Sequence, residues 1–534
     1  MNPKKWSIAA AALALLAFYN GAQPDLYAMR TNPAIVPGTK NKVERYGPSF
    51  EWLDRALGKR SGSKRFERET KLDFRILSSM MVAGMASGFR SQVANLLWLK
   101  FDEYSHEGQV SRQIPIMEAV VTLDPSFVDA WRVSGWHWAY NMYAEVPEKP
   151  ANKIKPGMTA EQKKQIGLNI RREQQYAVDL GMDYLFRGAN ANPDTYAIWF
   201  DAAQTRAWKA GIADDETIAL YEQARSQKDA REIKTEEMVD GKRVPKTLQG
   251  LDVVGHMMAH TYGQRPDIDK ALGMWRELLL SKATTSAFGG AILSNDNKPQ
   301  LSLQDIAGLE KVGAYWRRYG SNYVEIVNAY NSGDVTLKSQ IKRIVPDVEG
   351  MVAAQAIRGR TSATHPTPTG AFITIVARYV PAWEMMKRGQ TRAAIRDMVG
   401  MMNVDPRYAF QGLPAYKRVL ELLGDAPQVI DAKVKTVKDI ERTASGQDIG
   451  LHLLATLYEK LSNESAATDK RRFEQLAYET WYRARLRDAL DFLALRRTYA
   501  YEDRGFEMPA ALLNELAKIR KGSSTNFSPI SPQV

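Results

Sequence analysis

Cysteine does not occur anywhere in this chain of 534 residues. That absence excludes disulfides, thiolate metal sites, cysteine nucleophiles and a lipidated-cysteine anchor. It also suits a protein with nothing to gain from thiols outside the cytoplasm. The G-x-S-x-G nucleophile elbow, the P-loop and the Rossmann glycine fingerprint are missing as well. Zinc knuckles need cysteine, and no other nucleic-acid signature is present, so no nucleic-acid partner is expected. Sustained period-2 alternation with turn signals is lacking, which predicts little or no sheet. Adjacent acids such as Asp214-Asp215 and Glu236-Glu237 form no shared acid/base dyad. On a helix they would point about 100° apart, and they read as a solvated face or first-turn charge.

What is present is ample core material: 44% hydrophobic and 10% aromatic residues, with 25% charged. The formal charge of +12 favours anionic surfaces, although a diffuse solubilising excess explains it equally. Lys4 and Lys5 precede an apolar run, WSIAAAALALLAFY, from Trp6 to Tyr19. That is a charged n-region followed by an h-region of signal-peptide length. Asn20-Gly21-Ala22 substitutes poorly for a small-x-small cleavage site. Residues 1–22 are therefore read as a signal peptide or an uncleaved signal anchor, with the lysines cytoplasmic and the body outside.

Residues 23–71 look like an extended tether, with Pro24, Pro33, Pro37 and Pro48 and the basic cluster Lys59, Arg60, Lys64, Arg65 and Arg68. Such a cluster beside an anchor can lie on anionic headgroups. From about Leu72 the chain reads as helix after helix. Ile76–Leu99 is apolar enough to suggest a second span, but serines, Gln92, Asn95 and the glycines at 84 and 88 interrupt it, and two packed helices are expected. Residues 286–302 and 358–370 (RGRTSATHPTPTG) read as loops, and 522–534 as a disordered tail.

Two distant stretches share one skeleton. Gly108-Gln109 is followed by Asp124-Pro125, and Gly389-Gln390 by Asp405-Pro406, with glycine to proline spanning 17 residues in both. Helical runs lie between them, Ile114, Met117, Val120 and Val121 in one and Ala394, Met398 and Met401 in the other. After Pro125 comes a helix carrying Trp131, Gly135 and Trp138, and Pro193 precedes Trp199 by six residues just as Pro125 precedes Trp131. Ala203 then takes the small position, and the preceding helix offers Gly181, Leu185 and Gly188. Together these residues resemble the tetratricopeptide repeat family. The pattern is irregular: residues 145–167 are an insertion rich in proline and lysine, a unit at 251–279 has Pro266 where the turn glycine belongs, and Trp383 in the unit at 376–406 is out of register. The resemblance implies an all-α fold, an α-solenoid of helical hairpins over 72–300 with further hairpins over 301–521. It also implies a concave face that binds protein partners.

On helix 131–142, Arg132, Trp136 and Tyr140 fall on the face opposite Trp131, Gly135 and Trp138. The resemblance places that second face in the groove, with Phe200, Gln204 and Trp208 at the matching positions of the next repeat. A helix that is simply buried on both sides is the competing reading. His256 and His260 lie four apart on one face, with Asp252 a turn earlier. This spacing can seat zinc. The metalloprotease motif wants glutamate after the first histidine, and here Met257 stands. No metal and no cofactor are expected. The function expected is thus a scaffold for an envelope complex, tethered to a bacterial inner membrane and facing the periplasm, or secreted after cleavage. Two alternatives stand beside it: a structural subunit of a membrane machine, and a metal-dependent hydrolase using His256 and His260.

Overall fold

A computed structural model describes residues 88–106, 110–145, 155–230, 233–239, 242–248, 250–280, 283–285, 292–294, 301–402, 410–435, 449–487 and 490–509. The expectations for 1–22, the basic tether, Gly108-Gln109, Asp405-Pro406 and 522–534 lie outside these residues. So does most of the loop read at 286–302.

Helices dominate. Among the described residues they fall into two compact units, one holding the chain up to His137 with Asn190–Asn192, the other Trp138–Ala189 and Pro193 onward. In the first unit, helix α1 (Arg90–His106) packs against α2 (Val110–Leu123). Helix α3 follows (Val128–Trp136), running on as π-helix through His137–Met142 and ending at Tyr143–Glu145. Its expected packing residues Trp131, Gly135 and Trp138 are all buried. Asp124 closes the turn before it, its Oδ1 accepting from the Ser126 hydroxyl at 2.6 Å.

The second unit takes up the long helix α4 (Ala160–Ala191), in which Gly181, Leu185 and Gly188 are buried. Two consecutive packed pairs of helices then appear, α5 (Tyr196–Trp208) with α6 (Asp215–Ser226) and α7 (Gly250–Gln264) with α8 (Ile268–Leu280), and α9 (Leu303–Tyr319) and α10 (Tyr323–Ser332) follow, both packing chiefly on the helix over Val348–Thr364. Asp214 begins α6 as its cap, the carboxylate accepting from Thr217 N at 2.9 Å. Ser302 and Asp305 form a reciprocal capping box at the start of α9, satisfying donors that the first turn leaves without helical partners. In the unit at 251–279, Ala259, Tyr262, Ala271, Trp275 and Leu278 lie in the core. Trp275 is among the largest side chains fully withdrawn from solvent.

Helices α11 (Val335–Ile344), α12 (Val348–Thr364) and α13 (Pro366–Thr374) come next. The second and third occupy residues 358–370, the stretch expected to be a loop. Pro366 stands at the start of α13, where its missing N–H removes no helical hydrogen bond. His365 closes one helix and opens the other, donating from N to Thr361 O at 2.7 Å and accepting from Thr369 N at 3.0 Å. A π-helical stretch, Ile375–Tyr379, leads into α14 (Val380–Lys387). Pro381 cannot donate to the carbonyl four residues back, and Val380 N bonds Ile375 O instead. Gly389, at φ +74°, makes the turn into α15 (Thr391–Met402), as the glycine of the repeated skeleton requires.

The chain ends in α16 (Leu413–Leu422), α17 (Pro427–Lys435), α18 (Ile449–Glu464), α19 (Ala467–Arg487) and α20 (Phe492–Asp503). The closest pairing is between α18 and α19. Asp491 begins the last of these helices, its carboxylate accepting from Ala494 N at 2.9 Å.

Sheet is little rather than none. Strands β1 (Ile233–Val239), β2 (Lys242–Leu248), β3 (Ala283–Thr285) and β4 (Ile292–Ser294) form an antiparallel sheet of order β1-β2-β4-β3. Glu236 and Glu237 therefore lie in a strand, not on a helix or loop. Pro245, facing Glu236, is tolerated because β2 meets β4 only at Leu248, leaving its other edge without a ladder to break.

Candidate functional site

Two tryptophans six residues after a proline make the same bond. Trp131 Nε1 donates to Pro125 O and Trp199 Nε1 to Pro193 O, both at 2.9 Å. The proline ends the preceding turn, and the indole N–H meets a carbonyl that has no helical donor. In the first unit, Asn192 Nδ2 also donates to Pro125 O at 2.8 Å.

The six residues expected to line a groove are distributed over both units. Trp136, at 52% exposure, is open to solvent, whereas Arg132 is half-buried with Asp129 at 4.0 Å. In the second unit, Tyr140, Phe200, Gln204 and Trp208 are all half-buried. Phe200 faces Tyr221 at 6.1 Å between ring centroids, and Trp208 meets His260 edge-on at 6.0 Å. Trp208 thus contributes to the core as well as to the surface.

His256 and His260 are buried in the core of the α7–α8 pair, with Nε2 atoms 3.1 Å apart. Trp275 meets both rings edge-on at 5.1 Å. Burial, then the charge of His256, hold His260 well below the ordinary histidine range. One neutral ring donates and the other accepts. Among the described residues no group of three or more His, Asp or Glu could hold a metal ion, so the third ligand that a zinc centre needs is not found there.

A third histidine was not anticipated. His452, buried on α18, places Nδ1 3.0 Å from Gln264 O and Nε2 2.5 Å from Asp491 Oδ2. A carbonyl only accepts, so Nδ1 donates. Burial raises the Asp491 pKa, but the charge and hydrogen bond of His452 and the amides of Ala494 and Leu493 carry it below the ordinary carboxylate value. With the carboxylate ionised, Nε2 donates too and the ring is an imidazolium. One buried ion pair thereby joins the end of α7, the body of α18 and the cap of α20.

Sequence reasoning also missed a cavity of about 380 Å³ in the second unit, bounded by Tyr143, α4, the turn after α5 and α20. On α20, Phe492, Arg496, Tyr499 and Asp503 line it, and on α4 Leu168, Arg171, Gln175 and Val178. Both sets follow the spacing of one helical face. That pattern is the signal the sequence held, masked by its mixture of aromatic, apolar and charged residues. Arg171 forms a two-pronged bond to Asp503 (3.1 and 2.9 Å) and stacks on Tyr499 with Cζ 3.9 Å from the ring centre. Lys209 Nζ sits 3.9 Å from the ring centre of Tyr143, 4.2 Å from Phe492 and 5.1 Å from Tyr140. Burial pushes its pKa down to about 8, while Tyr143 is pushed up to about 12, by burial first, and stays neutral.

No protein-family model matches the chain, and no curated protein matches it in sequence. No helix among the described residues is long and apolar enough to cross a membrane.

Proposed function

We propose that this chain is a scaffold of irregular tetratricopeptide-like hairpins. A segment at its N-terminus would tether it to a bacterial membrane, and its exposed helix faces would bind protein partners outside the cytoplasm. The repeated bond from tryptophan to proline carries this reading. Two helices begin with the same spacing, the same donor and the same acceptor at 2.9 Å. A fold that reuses one joint to stack helices is better suited to presenting surface than to assembling a reaction centre. Trp136 supplies the exposed aromatic that such a surface needs, and the tether would raise the effective concentration of membrane-bound partners without further contacts.

Crosslinking of the tethered protein in its native membrane, followed by identification of co-purifying chains, tests the proposal. The same partner should be captured reproducibly by the parent and lost from Trp136→Ala at an unchanged melting temperature. Equal capture by parent and variant would remove Trp136 from the interface, and absence of any reproducible partner would remove the scaffold reading.

A further inference from the structure

The cavity beside Lys209 is independent of the scaffold reading, since it contains none of the repeat joints. Three aromatic faces surround the ammonium. They attract a cation but do not neutralise it. Among the described residues, neither Lys209 nor Arg172 has a carboxylate partner. Arg496 donates to Ala210 O at 3.4 Å and makes no ion pair among the described residues, although Asp214 and Asp179 lie near enough to act on its charge. The cavity's single lining acid, Asp503, is engaged by both prongs of Arg171. Three cations thus line a half-enclosed space without an anion between them. Arg172 and Arg496 are exposed, but Lys209 is half-buried; a half-buried charge without a counter-ion is costly, and an anion entering the cavity recovers that cost. Leu168, Val178 and Leu495 supply an apolar wall, and the volume suits a small molecule or one side chain.

We propose that this cavity binds a small anionic group, a carboxylate or a phosphate on an apolar stem, with its charge held by Lys209, Arg172 and Arg496. The aromatic box positions the ammonium, and the Arg171–Asp503 pair props Tyr499 at the rim. The titratable and charged groups around the ammonium are Tyr140 and Tyr143 from the α3 segment, Arg171 and Arg172 from α4, and Arg496, Tyr499 and Asp503 from α20. The two tyrosines of the α3 segment are shifted upward by burial. Lys209 is therefore the group that titrates in the mildly alkaline range, and deprotonation removes a cation from the site.

Calorimetric titration of the full chain with hexanoate, hexyl phosphate and hexanol tests this. One or both anions should bind with a single site at about pH 7, whereas hexanol should not. The tighter head group identifies the source of the anion. Lys209→Met should weaken binding about tenfold, the loss of one charge-assisted hydrogen bond. Raising the pH to about 9.5 should weaken the parent by a similar factor. Lys209→Arg keeps its charge there and should bind equally at both pH values. Absence of heat from both anions, equal binding of hexanol, or a parent and Lys209→Arg with the same pH profile would each overturn the proposal.

Discussion

At the scale of single residues, the buried histidines set the response to acid. Burial and then His256 depress the pKa of His260, so between its folded value and the ordinary value of about 6.5 the unfolded chain binds more protons. The contribution of His260 is complete above that ordinary value and falls as the pH drops below it, by up to about 1.4 kcal/mol per pH unit for one proton. Asp491 acts in the same direction over a lower window. Its folded pKa lies below the ordinary carboxylate value, so its contribution is present above about pH 4 and is lost as the pH falls through the folded value. Urea unfolding at stepped pH should show two successive losses. His260→Gln should flatten the first, and a parent indifferent to pH between about 7 and 5 would contradict this assignment. Asp491→Asn should abolish the second and cost about 1–3 kcal/mol at neutral pH, because His452 loses its counter-charge and a buried hydrogen bond and gives up its proton. The tryptophan joints are also testable there: Trp131→Phe and Trp199→Phe lose one hydrogen bond, about 1 kcal/mol, together with the packing of the pyrrole half of the indole, so each should cost about 2 kcal/mol in the same assay.

At the scale of elements, two glycines with positive φ separate conformational cost from crowding. Gly389 has φ +74°, and a Cβ there meets nothing within 4 Å. Gly211 has φ +64°, but a Cβ there would lie 2.6 Å from the Phe492 carbonyl carbon and closer still to its oxygen. The start of α20 docks directly on that turn. Gly389→Ala should cost about 1 kcal/mol, and Gly211→Ala about 3 kcal/mol, strain and overpacking combined. Equal losses in chemical denaturation would show that α20 yields to the intruding methyl. The same elements mark how far the sequence could be read. The apolar period located α5, α7 and α8 and the buried faces of α3 and α4, because each of these helices carries a continuous stripe. It failed at 358–370, where prolines and threonines suggest a loop, yet Pro366 stands at a helix start and breaks nothing. It failed at β1 and β2 because charges replace the expected alternation and Pro245 argues against a strand. Asp240-Gly241 between them, a hairpin pair, was the signal overlooked. The Lys209 cavity was illegible for another reason. Residues from four separate stretches meet there, and only tertiary packing brings Phe492 to Lys209.

At the scale of the whole molecule, the proposed tether makes a prediction that separates its two ingredients. The apolar run Trp6–Tyr19 and the basic cluster around Lys64 would hold a membrane by different physics. Burial of an apolar segment is insensitive to salt, whereas attraction of lysine and arginine to anionic headgroups is screened within about 10 Å at 0.1 M salt and about 3 Å at 1 M. No described helix offers a second span. The full chain should therefore stay with the membrane fraction through both alkaline and high-salt washing. A chain beginning at Gln23 should retain only headgroup attraction. It should bind anionic vesicles at low salt and leave them as the salt rises towards 1 M. Further loss of the cluster, by changing Lys59, Arg60, Lys64, Arg65 and Arg68 to glutamine, should abolish vesicle binding even at low salt. Retention of the Gln23 chain through alkaline washing would require another membrane-embedded segment and would favour a structural subunit of a membrane machine over a tethered scaffold. Release of the full chain by salt alone would leave the apolar run without an anchoring role and restrict the attachment to charge.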